Sequence, residues 1–138
     1  MKPVQRIALA TAVAAAVAAC GKTEAPAAKK ADAPAGITVT IGHAGPLTGP
    51  ISHLGKDDEN GVALAVQHAN DRKVVIDGKP VTFKMVSEDD QADPKVGTTV
   101  AQKLVDAKVV AVIGHTTSGV SIPASEVYAR AGIPMISG

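Results

Sequence analysis

The chain has 138 residues, a formal net charge of +1 and 20% charged residues. A balance so close to neutral gives no electrostatic reason to expect a nucleic-acid or strongly acidic partner. Apolar residues make up 46%, yet aromatics only 1%, namely Phe83 and Tyr128, so a core must be assembled from Val, Ile, Leu and Ala.

The N-terminal end reads as an export leader. Lys2 and Arg6 form a basic start, and Ile7 to Ala19 is an alanine-rich apolar run. That run falls short of the roughly 20 residues a membrane-spanning helix needs. It ends in Val17-Ala18-Ala19-Cys20, which resembles the bacterial lipobox, where signal peptidase II cuts before a cysteine that carries lipid. Cys20 is the single cysteine, so no intrachain disulfide can form, and lipidation is its expected role. Cleavage after Ala16-Val17-Ala18 is the alternative and would release a soluble exported protein. Either way the protein is expected outside the cytoplasm, with residues 1–19 as leader. Residues 20–36 hold the lipidated cysteine and a tether rich in Ala, Pro and Lys without apolar periodicity. As flexible chain the tether reaches about 20–25 Å.

Residues 37–138 form the expected globular part, about a hundred residues, which is one small domain or part of a larger one. Ile37 to His43 alternates and predicts a first strand, followed by a Gly45 to Pro50 loop. A helix is expected from about Gly55 to Arg72, with Val62, Ala65, Val66 and Ala69 on its inner face and Asp57, Asp58 and Glu59 in its first turn. Val74 to Ile76 and Val81 to Val86 flank Asp77-Gly78, a hairpin signal. Asp93 is placed as an N-cap with Pro94 at the first helical position, and this helix runs to about Ala107 with Val96, Val100, Ala101 and Leu104 inward. Val109 to Ile113 predicts a strand, Ser118 to Ala131 a helix closed by Gly132, and Ile133 to Ser137 a last strand. Strands that alternate with helices and are apolar on both faces predict a three-layer, Rossmann-like parallel α/β sheet.

The chemistry-bearing residues exclude more than they assign. The loop after the first strand lacks both the Gly-x-Gly-x-x-Gly and the Gly-Lys-Ser/Thr signatures of nucleotide binding. His43, His53, His68 and His115 do not have metal-ligand spacing, although His43 and His115 could approach each other at adjacent strand ends. Glu88, Asp89, Asp90 and Asp93 lack the spacing of a calcium loop; Asp93 is read as a cap and the others as solvating a loop. Ser118 has no nucleophile elbow, since Thr116 stands where a glycine would be needed. No enzyme activity, metal or cofactor is expected. What remains is a strand, Val109 to Ile113, that runs through small hydroxyl residues into a helix. That arrangement aims free backbone N–H groups at one point and suits a carboxylate or another anion.

Three stretches resemble the leucine/isoleucine/valine-binding proteins, the substrate-binding lipoproteins of bacterial ABC importers with the type I periplasmic-binding-protein fold. The first is Ile41 to Asn70, with Gly45-Pro46-Leu47-Thr48-Gly49-Pro50, Gly55, Asn60-Gly61 and Ala69-Asn70. The second is Asp89-Asp90-Gln91-Ala92-Asp93-Pro94, and the third is Gly114 to Gly138, including Pro123-Ala124-Ser125. The resemblance implies two α/β lobes that close over a solute in the cleft. This chain would supply the leader, the tether and the N-terminal part of the first lobe, with half a lobe leaving a sheet edge and one helix layer uncovered. It also implies that Ser118, with Thr117 and Gly119 beside it, holds the amino-acid carboxylate. An acidic residue of the second lobe would hold the ammonium. Leu54 stands where relatives often place an aromatic residue, and Ala92 and Thr117 where some carry a disulfide.

The expected function is therefore capture of a branched-chain or related amino acid such as leucine, isoleucine or valine by cleft closure. Delivery to ABC permease subunits would follow, with a lipid anchor holding the protein at the membrane. The same fold with another solute, an amide, a urea or an aromatic acid, is the alternative that Leu54 keeps open. A sensory receptor module and an exported enzyme on a Rossmann-like sheet are the remaining readings.

Overall fold

The computed structural model describes residues 35–138. The leader, Cys20 and nearly all of the tether lie outside the described residues.

Five strands and three helices alternate: β1 (Ile37–Gly45), α1 (Ser52–Asp71), β2 (Val75–Ile76), β3 (Lys79–Asp89), α2 (Pro94–Asp106), β4 (Ala111–Gly114), α3 (Ser118–Ala131) and β5 (Met135–Ile136). The sheet order is β2-β3-β1-β4-β5. β1 is parallel to both β3 and β4, and β4 is parallel to β5. Only the short β2 runs antiparallel, as expected of a strand turned back at Asp77-Gly78. Asp77 and Gly78 both take positive φ there, 50° and 73°.

β1 sits in the middle and splits the layers by residue parity. Ala44 joins Val100, Ala101, Leu104, Val109, Val112, Ala124 and Tyr128 in the buried core beneath α2 and α3. Gly42 faces the same way: a Cβ there would press on Leu104 and Val112. Ile41 and His43 point to the opposite face, which α1 covers. The expected three-layer architecture is therefore the one observed. The α2 prediction holds in detail. Asp93 caps the helix, accepting from the N–H groups of Lys95 at 2.8 Å and Val96 at 2.9 Å, and Val100, Ala101 and Leu104 are buried. Gly97 is buried as well, and its missing side chain lets α3 approach, since a Cβ would collide with Val120.

The α1 side departs from expectation. The helix begins at Ser52, three residues earlier than the periodicity indicates, so Asp57, Asp58 and Glu59 fall beyond its first turn and Ile51 precedes it without a side-chain cap. Of the four residues expected to face inward, Val62 is buried, while Ala65, Val66 and Ala69 line an open apolar cleft of about 250 Å³ with Ile41, Phe83 and Ile136. Ile136 is 66% exposed. A helix periodicity reports which face is apolar, not whether a neighbour covers it, and here the sheet face beside β4 and β5 is left open on this side, as half a lobe implies.

Candidate functional site

In a parallel sheet the carboxyl ends of neighbouring strands lie along one edge, and the loops that follow them share it. Here these are the loops after β1, β3 and β4, each leading into a helix N-terminus. The resulting edge is the usual ligand position in open α/β sheets.

Asp89 organises the first loop. Its Oδ1 accepts the backbone N–H of Leu47 at 2.8 Å, of Thr48 at 3.3 Å and of Gln91 at 2.9 Å. Its Oδ2 accepts the Thr48 hydroxyl at 2.5 Å. Burial pushes the Asp89 carboxyl up, but the Thr48 hydroxyl and the three N–H donors together outweigh it and hold it below the usual carboxylate value. The acidic cluster is thus not a solvating loop, as its sequence reads. Asp89 pins the β1–α1 loop, Asp90 is wholly buried, and Glu88 pairs with Lys103 at 3.2 Å.

The third loop leads from β4 into α3. Gly114 is required at its start: its φ is +128°, and a Cβ would run into the Ala44 carbonyl oxygen. His115 is buried, with Nδ1 2.6 Å from Asp90 Oδ2 and Nε2 3.2 Å from the Tyr128 hydroxyl. The Thr116 hydroxyl donates to Asp58 Oδ2 at 2.8 Å and ties this loop to α1. Thr117 occupies the N-cap position in extended conformation, but its side chain makes no cap hydrogen bond. The first helical bonds run from the N–H groups of Val120 and Ser121 to the Thr117 carbonyl. The N–H groups of Ser118 and Gly119 precede them and have no partner within the helix. Ser118 and Gly119 are exposed and Thr117 is half-buried. Two hydroxyl residues and two N–H groups without an intrahelical partner thus stand at the positive end of a helix dipole, a setting that favours anionic groups.

Leu54, the fourth residue singled out from sequence, lies in the first turn of α1 and is 44% exposed. It thus shares the carboxyl edge with Ser118. His43 and His115 do not pair. The His43 Nδ1–H donates to the Ile113 carbonyl at 3.0 Å, and its Nε2 is buried without a partner on the α1 side. Asp57, Asp58, Val62 and Gly114 line an open cleft of about 320 Å³ beside it. Among the described residues no group of three His, Cys, Asp or Glu converges on a metal-sized point.

Residues 38–138 match the periplasmic binding protein family. The chain belongs to that family. It is 44% identical over 99 residues to a Leu/Ile/Val-binding protein homolog of Brucella abortus, covering 72% of this chain and 26% of the relative. Among solved structures it is similar to the branched-chain amino acid transporter substrate binding protein LivJ of Streptococcus pneumoniae in complex with isoleucine. There the TM-score is 0.66 at 33% identity, covering 72% of this chain and 28% of the other. It is also similar to a solute binding protein of an ABC transporter from Rhodopseudomonas palustris in complex with 3,4-dihydroxy benzoic acid. For that protein the TM-score is 0.61 at 26% identity, with 72% and 26% covered. The chain thus spans about a quarter of the length of the relatives it matches, part of one lobe of the type I fold. These relatives of the periplasmic binding protein chain are solute-binding proteins, in line with the expected class.

Proposed function

We propose that this chain belongs to the extracytoplasmic solute-binding component of an ABC importer that captures a branched-chain or related amino acid by cleft closure. The observation that carries the reading is the α3 N-terminus on the carboxyl edge of the sheet, with Thr117, Ser118 and Gly119 free to meet a carboxylate. A hydrogen bond to a charged group contributes about 1.5–3 kcal/mol. The helix N-terminus adds up to about 2 kcal/mol in partly buried geometry. Those magnitudes suit reversible anchoring. In this reading residues 1–19 are removed on export, Cys20 carries lipid, residues 20–36 tether the body to the membrane, and the loaded protein docks on permease subunits.

A second solute class is favoured by one observation. Leu54 presents an aliphatic side chain where an aromatic is expected from the resemblance, and one relative was crystallised with 3,4-dihydroxy benzoic acid. A hydroxylated aromatic acid would use the same carboxylate cradle and a different side-chain wall.

The test is Ser118→Ala in the natural protein, titrated calorimetrically with leucine, isoleucine, valine and 3,4-dihydroxybenzoate. Affinity for the bound solute should fall about tenfold or more. Unchanged affinity would remove Ser118 from the site. The solute that binds tightest decides between the two classes.

A further inference from the structure

We propose that Asp90, His115 and Tyr128 form a positioning network that aims the Thr117 to Gly119 turn at the solute's carboxylate. The inference rests on the carboxylate-cradle reading above and adds the residues that hold the cradle in place.

All three side chains are completely buried in a layer otherwise built from Val100, Leu104, Val120 and Ala124. Their hydrogen bonds form one continuous chain. The Asp90 carboxylate only accepts, so His115 Nδ1 carries the proton across the 2.6 Å contact. His115 Nε2 completes the chain at 3.2 Å from the Tyr128 hydroxyl, accepting from it on the neutral ring and donating to it on the imidazolium. Burial, with the Asp90 charge adding to it, pushes the Tyr128 phenol far above its ordinary range, so it keeps its proton. The other Asp90 oxygen accepts the Ala92 N–H at 2.9 Å.

The network reaches each loop of the carboxyl edge. The Asp90 N–H donates to the Gly45 carbonyl at 3.0 Å, at the start of the first loop. Asp90 itself opens the second loop. The His115 carbonyl accepts the hydroxyls of Ser121 at 2.8 Å and Ser137 at 3.2 Å, which fix the third loop against the first turn of α3 and the end of β5. The ring and carbonyl of His115 are therefore both held three residues before Ser118.

Stability alone does not account for this arrangement. Burying three polar side chains costs desolvation, and well-packed apolar residues of similar volume often serve stability equally well. A directional chain does what apolar packing does not: it selects one orientation of the peptide that leads into α3.

The variant to test is Tyr128→Phe in the natural protein, which deletes one hydroxyl and keeps the ring; Asp90→Asn is the stronger second variant. Leucine and leucinamide are titrated in parallel, and the amide resonances of Thr117, Ser118 and Gly119 are recorded without solute. Tyr128→Phe should weaken leucine about fivefold and leave leucinamide nearly unchanged, so the preference for the carboxylate falls. The Ser118 and Gly119 resonances should broaden or split. An equal loss for both solutes, or a lowered Tm alone with sharp, unshifted resonances, would make the network purely structural. If the unaltered protein binds neither solute, the amino-acid reading fails, and the solute-free resonances still decide the positioning role by themselves.

Discussion

Asn70 and Phe83 exchange two hydrogen bonds at the outer edge of the sheet. The Asn70 Nδ2–H donates to the Phe83 carbonyl at 3.0 Å, and the Phe83 N–H donates to Asn70 Oδ1 at 2.8 Å. β2 covers only the first two residues of β3, so beyond it the side-chain amide of Asn70 stands in for a neighbouring strand. It satisfies a backbone pair that would otherwise offer a template for edge-to-edge pairing. Asn70→Ala should therefore destabilise the protein by about 1–3 kcal/mol in urea denaturation. Asn70→Asp should recover little, because a carboxylate cannot donate to the Phe83 carbonyl. A change within a few tenths of a kcal/mol would mean that water replaces the pair at no cost.

Acid stability should trace to Asp89 and Glu59. The Ser87 hydroxyl, bound at 2.6 Å, lowers the Glu59 carboxyl; burial opposes this and Lys56 assists it. Asp89 is lowered on balance, as described above. A carboxylate whose folded pKa lies below its unfolded value stabilises the fold above the unfolded value and loses that contribution as pH falls through the folded one. Stability should thus hold at neutral pH and drop below about pH 4. Asp89→Asn should lower Tm at pH 7 and flatten the acid decline; parallel curves for variant and parent would contradict the assignment.

Gly97 sets how closely α2 meets α3. Alanine normally improves a helix interior by up to about 1 kcal/mol over glycine. Here its Cβ would collide with Val120, and overpacking of this kind costs about 1–3 kcal/mol. Gly97→Ala should lower the denaturant midpoint, and adding Val120→Ala should recover part of the loss. A strictly additive double mutant would show that the two residues do not compete for the same space.

Leu54 governs solute choice rather than folding in this reading. It is 44% exposed, so Leu54→Tyr should change stability by no more than about 0.5 kcal/mol. The order of affinities across leucine, valine and 3,4-dihydroxybenzoate should change. An unchanged order, measured by calorimetry, would place Leu54 outside the solute's reach.

Much of this molecule can be read without coordinates, because its signals are local. Asp93-Pro94 announces a helix start through the chemistry of two adjacent residues, and the structure has α2 begin there. Asp77-Gly78 announces a turn, and Gly132 takes the left-handed conformation that closes α3. The strand-helix alternation specifies the layers, since both faces of each apolar strand need cover. Only the tertiary structure decides where residues distant in sequence meet. Asp90 looks like one more solvated acid beside Asp89 until β4 brings His115 against it and α3 adds Tyr128. Asp89 looks equally ordinary until parallel pairing sets its strand end beside Gly45 and the loop it pins. Ala65 and Ala69 share an apolar stripe with Val62, yet only Val62 is buried, because cover depends on neighbouring elements and not on periodicity. Local torsional preference is written residue by residue, whereas burial and hydrogen-bond pairing belong to the packed chain.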